Sequence, residues 1–207
     1  MDAGERVAQA MAALPRKDFL PRRERRHADR DGPLPIGHGQ TNSQPRTVAA
    51  MLELLDVRPG DRVLDVGAGS GWTTALLGHL TGSSGEVLGV ERVEELAAFG
   101  AANLDRTGMP WARLTRATPG VLGSPQEAPF DRILVSAQAR TLPRVLVDQL
   151  VPGGVLVIPV LGWMHRVTRD LDLGTAGGRT AYAEGKVPDA RVEIHGAYRF
   201  VPLIEDR

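Results

Sequence analysis

The 207-residue chain has no cysteine. That excludes a disulfide framework and any thiolate metal site. Nor does it carry a net charge: lysine plus arginine number 25, aspartate plus glutamate 25. A balanced chain casts no long-range field toward nucleic acid or an anionic membrane, and neither is expected as a partner. No apolar run is long enough to cross a bilayer. The opening residues, Met1-Asp-Ala-Gly-Glu5, lack the basic and then apolar stretch of a signal peptide, so a cytoplasmic protein is expected. His27, His38, His79, His165 and His195 are scattered without metal-ligand spacing, and no metal site is expected. This length makes one domain the default and allows a substantial core.

What the chain does contain centres on Val63-Leu-Asp-Val-Gly-Ala-Gly-Ser-Gly-Trp72. Val63, Leu64 and Val66 suit a buried strand. Gly67, Gly69 and Gly71 follow at once, and Thr73 to Leu80 reads as a short helix. Strand, glycine turn and helix open a nucleotide-binding α/β unit, because glycine lets backbone approach a ligand and adopts dihedrals that a Cβ forbids. A dinucleotide fingerprint runs G-x-G-x-x-G and seats a pyrophosphate. Here the spacing is G-x-G-x-G with Asp65 just before it, a poor neighbour for pyrophosphate and a good one for a cationic or hydroxyl-rich ligand. Glu91 ends the next apolar run, Val87 to Val90. An acid there, about 20 residues past the glycines, is placed to accept from ribose hydroxyls. The acid, the three glycines and the second acid together resemble the S-adenosylmethionine site of class I methyltransferases. The other reading is a glycine-rich turn in a different doubly wound protein.

Taken in order, Val7, Ala10, Met11 and Leu14 fall on one face of a short helix that stops at Pro15. Arg22 to Arg26 is either an anion-binding patch or a solvated segment, and the neutral total favours the second. Pro33 to Pro45 has three prolines and two glycines and fits no regular element, so a structured loop is expected. A helix should start near Pro45, since proline suits a first turn. Val48, Met51, Leu52 and Leu55 form its apolar face. Further elements are a helix from about Val93 to Thr107, ended by Gly108, and strands at Ala112–Thr115 and Phe130–Val135. A helix from Pro143 to Leu150 and a strong strand, Val155–Val160, follow. Alternating strands and helices imply a parallel sheet with right-handed crossovers. Val167–Leu173 and Val192–Val201 show period-two alternation and read as a terminal antiparallel pair joined by a loop. In the second, Val192, Ile194, Tyr198 and Phe200 share one face. The expected architecture is a doubly wound, mostly parallel Rossmann-like sheet with that C-terminal antiparallel pair. It forms a single domain in which residues 1–60 pack as a helical and substrate-loop segment on a 61–207 core.

Five stretches occur together in a fixed order: Leu14-Pro-Arg-Lys-Asp-Phe-Leu-Pro21, Pro33-Leu-Pro-Ile-Gly-His-Gly-Gln-Thr-Asn-Ser43, the glycine motif, Gln149-Leu-Val-Pro-Gly-Gly-Val-Leu-Val-Ile-Pro159, and Phe200-Val-Pro-Leu203. In these the chain resembles the protein-L-isoaspartate O-methyltransferases over nearly its whole length. The resemblance implies S-adenosylmethionine as cofactor and methyl transfer to the α-carboxylate of an isoaspartyl residue in a peptide or protein, by a monomer. The ester then closes to a succinimide that can open to aspartate. It also implies that Ser43 orients the acceptor carboxylate with Thr41 beside it, and that Gln40, Thr41 and Asn42 cover the methionine end. Asp65, Gly67, Ala68, Gly69 and Gly71 would line the turn, Glu91 and Arg92 the ribose side, with His165 after the fifth core strand. Ser43 has a second reading as a cap or turn residue ahead of the helix. Asp65 has a second reading as an acid that only fixes the turn through backbone N–H bonds.

The chain departs from the family pattern at three points. Asn42 replaces isoleucine beside Ser43, which is expected to make that wall more polar. Ala117-Thr-Pro-Gly120 stands where the family has Gly-Asp-Gly, whose aspartate meets the adenine amino group. His165 stands for a glutamine. Two alternatives remain: a methyltransferase of this kind working on an aspartate of a dedicated biosynthetic peptide, and a non-catalytic module that keeps the fold. The G-x-G-x-G spacing disfavours an NAD-dependent oxidoreductase.

Overall fold

A computed structural model describes residues 1–171 and 189–204. Helix α1 (Ala3–Ala13) opens the chain with a capping box, in which the Asp2 carboxylate accepts from the Glu5 amide at 2.8 Å. A hairpin follows, β1 (Leu34–Gly37) and β2 (Gln40–Asn42). Helix α2 (Pro45–Leu55) starts on its proline, as the sequence predicts. The core then runs β3 (Arg62–Val66), α3 (Trp72–Thr81), β4 (Glu86–Glu91), α4 (Glu94–Asp105), β5 (Ala112–Arg116), β6 (Phe130–Val135), α5 (Arg144–Val147), β7 (Leu150–Val160), β8 (Trp163–Arg169) and β9 (Ala190–Ala197).

The main sheet has seven strands in the order β5-β4-β3-β6-β7-β8-β9. Neighbours from β5 to β7 are parallel, while β8 and β9 add an antiparallel pair at one edge. Adjacent residues of one strand face opposite sides. Val63 and Val87 therefore join the cluster under α1, α2 and α3, and Leu64 and Leu88 join the cluster on the other face. Each fully buried leucine contributes about 1.5–3 kcal/mol of transfer free energy. Strand order reverses between β4-β3 and β3-β6, and the crevice outside the C-terminal ends there is where such sheets take ligands.

Four expectations need correction. Pro33–Pro45 holds a hairpin rather than an irregular loop. Its prolines disguise it, yet Leu34 and Ile36 are buried between exposed Pro33 and Pro35 in strand alternation. The helix expected over Pro143–Leu150 is a single turn, because Leu150 already belongs to β7. The final strands begin earlier than their periodicity suggests. Leu161 and Gly162, at φ 48° and 87°, form a two-residue turn after β7, so β8 starts at Trp163. Leucine is a poor signal for such a turn. Finally, Val192, Ile194, Tyr198 and Phe200 do not share a face. Val192 packs on one core cluster, Tyr198 and Phe200 pack on the other, and Ile194 is 64% exposed. Gly196 at φ 44° and a register shift near Trp163 break the alternation. The loop expected from Gly174, and the end of the strand expected to reach Leu173, lie outside the described residues. The arginines of Arg22–Arg26 are all exposed, in keeping with a solvated segment.

Candidate active site

The cradle begins where β3 ends. Gly67, Gly69 and Gly71 take φ of 81°, 52° and 83°, the left-handed region that a side chain disfavours. The amides of Gly67 and Ala68 donate to the Val90 carbonyl at 2.9 and 3.2 Å, which pins the turn to β4. A Cβ on Gly71 would stand 2.7 Å from the Gly100 carbonyl oxygen, so here space as well as φ requires glycine.

Glu91, at the end of β4, is 6% exposed and lines the same cleft. One carboxylate oxygen accepts from the Gly69 amide and the other from the Val93 amide, each at 2.9 Å. A carboxylate offers about four acceptor positions, so each oxygen keeps a lone pair for a diol. Glu91 therefore holds the turn and keeps acceptor capacity at the cleft lining at once. Glu91→Gln should weaken S-adenosylhomocysteine binding by about 1.5–3 kcal/mol, because the charged acceptor is lost and either amide orientation sets its NH₂ against the N–H of Gly69 or Val93. Calorimetry reads this directly, and unchanged affinity would remove Glu91 from the site.

Asp65 is not where the sequence suggests. It is fully buried beneath the turn and outside the cleft lining. No backbone amide among the described residues holds it. One oxygen accepts from the Thr74 hydroxyl at 2.8 Å, and the other has no partner among the described residues. Burial, with the nearby charge of Glu91, pushes its carboxyl up to about 7.

Across the cleft, β2 and the start of α2 bring in Gln40, Thr41, Asn42 and Ser43. Ser43 does not cap α2. The N-cap is Gln44, and it is the Asp31 carboxylate, not Ser43, that accepts from the first-turn amide of Arg46 at 3.3 Å. Its hydroxyl has no hydrogen bond among the described residues, while its carbonyl accepts from Arg16 at 2.9 Å. Asn42 is buried, and its carboxamide bonds to Arg16 and Ser70 rather than forming a free polar wall. Buried Arg16 lies over the Trp72 ring at 5.8 Å. Burial lowers its pKa to about 10, which leaves it charged at neutral pH.

The rest of the cleft is lined by Arg92, Ala117–Gly120, Ser136, Ala137 and Val201–Ile204. Val201 and Leu203 reach it because their backbone bonds Gln138 at 2.8 and 2.7 Å. His165 is not brought in. It sits on β8, with Nδ1 2.9 Å from the Trp163 carbonyl, outside the lining. Sequence reasoning missed Ser136 and Ala137, although the end of β6 at the strand-order reversal points to them. It also missed Gly100 and Asn103 of α4. The Asn103 side chain donates to the Ser70 carbonyl at 2.8 Å, and Gly100 lets α4 touch the turn. Among the described residues no His, Asp and Glu cluster could hold a metal ion.

The cleft measures about 900 Å³, ample for a nucleoside cofactor and part of a second ligand. The sheet order, the glycine cradle and the acid at the end of β4 define the class: a class I methyltransferase. Residues 1–181 match the family model described as Protein-L-isoaspartate(D-aspartate) O-methyltransferase. The protein-L-isoaspartate O-methyltransferase of Methanopyrus kandleri is 46% identical over 199 residues, 96% of this chain and 83% of that one. That of Aeropyrum pernix is 46% identical over 200 residues, 96% of this chain and 72% of its own. A crystal structure of a Plasmodium falciparum protein-L-isoaspartate O-methyltransferase, in complex with S-adenosyl-L-homocysteine, superposes with a TM-score of 0.77 at 26% identity, covering 97% of this chain and 91% of that one. The chain belongs to the protein-L-isoaspartate(D-aspartate) O-methyltransferase family.

Proposed function

We propose that the chain esterifies the α-carboxylate of isoaspartyl residues in peptides or proteins, with S-adenosylmethionine as donor. The observation that carries this reading is the Ser43 hydroxyl. It makes no hydrogen bond within the described protein, does not cap α2, and lines the cleft that also holds the glycine cradle and Glu91.

S-adenosylmethionine, when bound, supplies a methyl already activated by a sulfonium charge. The glycine turn and Glu91 would hold its nucleoside, and Gln40 and Thr41 its methionine end. The acceptor is a carboxylate, ionised at neutral pH, so the chain needs no general base. Ser43 donates to that carboxylate and fixes which oxygen lies in line, and the cleft walls exclude water. The ester then loses methanol as the following backbone nitrogen closes a succinimide. The balanced charge supports peptide rather than nucleic-acid substrates. Among the described residues no helix is long and apolar enough to cross a membrane. A monomer working in the cytoplasm completes the proposal.

Matched peptides with isoaspartate or aspartate test this reading. The isoaspartyl peptide should yield a base-labile ester that releases methanol and leaves succinimide. Ester on the aspartyl peptide alone would replace repair with modification of a dedicated peptide. A base-stable N-methyl product would sink both. Ser43→Ala should lower kcat about 10- to 100-fold with S-adenosylhomocysteine affinity nearly intact, the loss of one charge-assisted bond made to the acceptor only.

A further inference from the structure

Two parts of the cleft do different jobs. The turn between β3 and α3 would hold the donor's nucleoside, and the stretch from β2 into α2 would meet its methionine end and carry Ser43 to the acceptor. A buried polar chain joins them. The Arg16 Nε donates to Asn42 Oδ1 at 2.6 Å, and Asn42 Nδ2 donates to the Ser70 hydroxyl at 3.1 Å. Arg16 also donates to the carbonyls of Asn42 and Ser43, at 3.0 and 2.9 Å. On the donor side, Ser70 is fixed by Asn103, and its neighbour Gly69 by Glu91. Arg16, Asn42 and Ser70 are 6%, 6% and 3% exposed, so these bonds lie out of water. Each is strong there, and each leaves a costly orphan if one partner is removed.

We infer that Asn42 is a positioning residue that couples occupancy of the donor site to the geometry of the acceptor loop around Ser43. The inference rests on the methyl-transfer reading of the same cleft. Its physical basis is that Asn42 is the one side chain in this chain of bonds that touches both segments. Its carbonyl oxygen serves the acceptor side through Arg16, and its NH₂ serves the donor side through Ser70. An aliphatic side chain here would fill the space but make neither bond. Ligand that stiffens the glycine turn should then stiffen residues 41–44, and the carboxylate should meet an ordered Ser43 only when the donor site is filled.

The test compares the full-length chain with Asn42→Ala, Ser70→Ala and Asn42→Asp. Amide hydrogen exchange is followed with and without S-adenosylhomocysteine, and kcat and KM are measured on the isoaspartyl peptide. In the wild type, ligand should slow exchange in residues 41–44 by about tenfold. In Asn42→Ala and Ser70→Ala that slowing should vanish, while the amides of Gly69 and Gly71 stay protected. KM for the peptide should rise about tenfold with KM for the donor little changed. Asn42→Asp should restore both, since its carboxylate accepts from Arg16 and from the Ser70 hydroxyl. If Asn42→Ala fails to fold, Ser70→Ala, which removes one small group, decides alone. Undiminished protection of residues 41–44 in the variants would overturn the inference. A wild type that forms no ester would overturn the methyl-transfer reading instead, and the exchange measurement, which needs only S-adenosylhomocysteine, would still decide the role of Asn42.

Discussion

Asp65→Asn should make the ligand-free protein more stable above pH 7 and leave it nearly unchanged at pH 4. Asp65 is fully buried, and one of its oxygens has no partner among the described residues. Its carboxyl is raised from 3.8 to about 7. Between those values the native state holds a proton that the unfolded chain has released. Stability therefore falls as pH rises through this window and is flat beyond it. Three pKa units correspond to roughly 4 kcal/mol, the largest penalty the group can impose. Asparagine keeps an acceptor for the Thr74 hydroxyl and has no charge to desolvate. Urea denaturation of both proteins from pH 4 to 8 should show the wild type losing stability relative to the variant as pH increases. Parallel curves would mean that Asp65 is ionised in the native state throughout.

A second large effect is expected at a position with no side chain. Gly100→Ala should cost about 2 kcal/mol of stability and at least tenfold in S-adenosylhomocysteine affinity. Helix propensity alone argues the opposite, since alanine is favoured over glycine by about 1 kcal/mol inside a helix. The contact outweighs it. A Cβ on Gly100 would stand 2.6 Å from the Gly69 carbonyl oxygen and 2.7 Å from a Leu114 methyl. The first obstacle is backbone, so α4 or the glycine turn must move. Moving the turn pulls the Gly69 amide from Glu91 and the Ser70 carbonyl from Asn103. Denaturation midpoints and calorimetry read the two effects separately. A stabilised variant with normal affinity would show that the turn tolerates the shift.

Local pattern was enough to read much of this molecule from its sequence. The strand–glycine–helix unit at Val63–Leu80, the acid at Glu91 and the apolar faces of α1 and α2 are all encoded by neighbours within a few turns of chain. So is the edge pair in outline. Period and turn chemistry act over short range, and they survive into the fold wherever a core face rewards them. The stretch Gln40 to Ser43 was legible as a set of candidate residues through the family resemblance, since a cluster of polar side chains by itself reads only as a loop.

Tertiary structure alone decided what those side chains touch. Asp65 reads as a cleft acid, and only the tertiary structure shows a buried carboxyl bonded to Thr74 and outside the cleft lining. Asn42 reads as a polar wall, and only the approach of Arg16, 26 positions earlier, turns it into a link between two segments. Gly100 and Asn103 read as ordinary helix residues until α4 is laid against the glycine turn. Val201 and Leu203 reach the cleft because their backbone pairs with Gln138, far away in sequence. In each case the partner lies across the fold, and a hydrogen bond or a 2.6 Å approach depends on where two distant segments are held. Periodicity along the chain carries the shape of each element, whereas the energy of a buried polar contact depends on its partner.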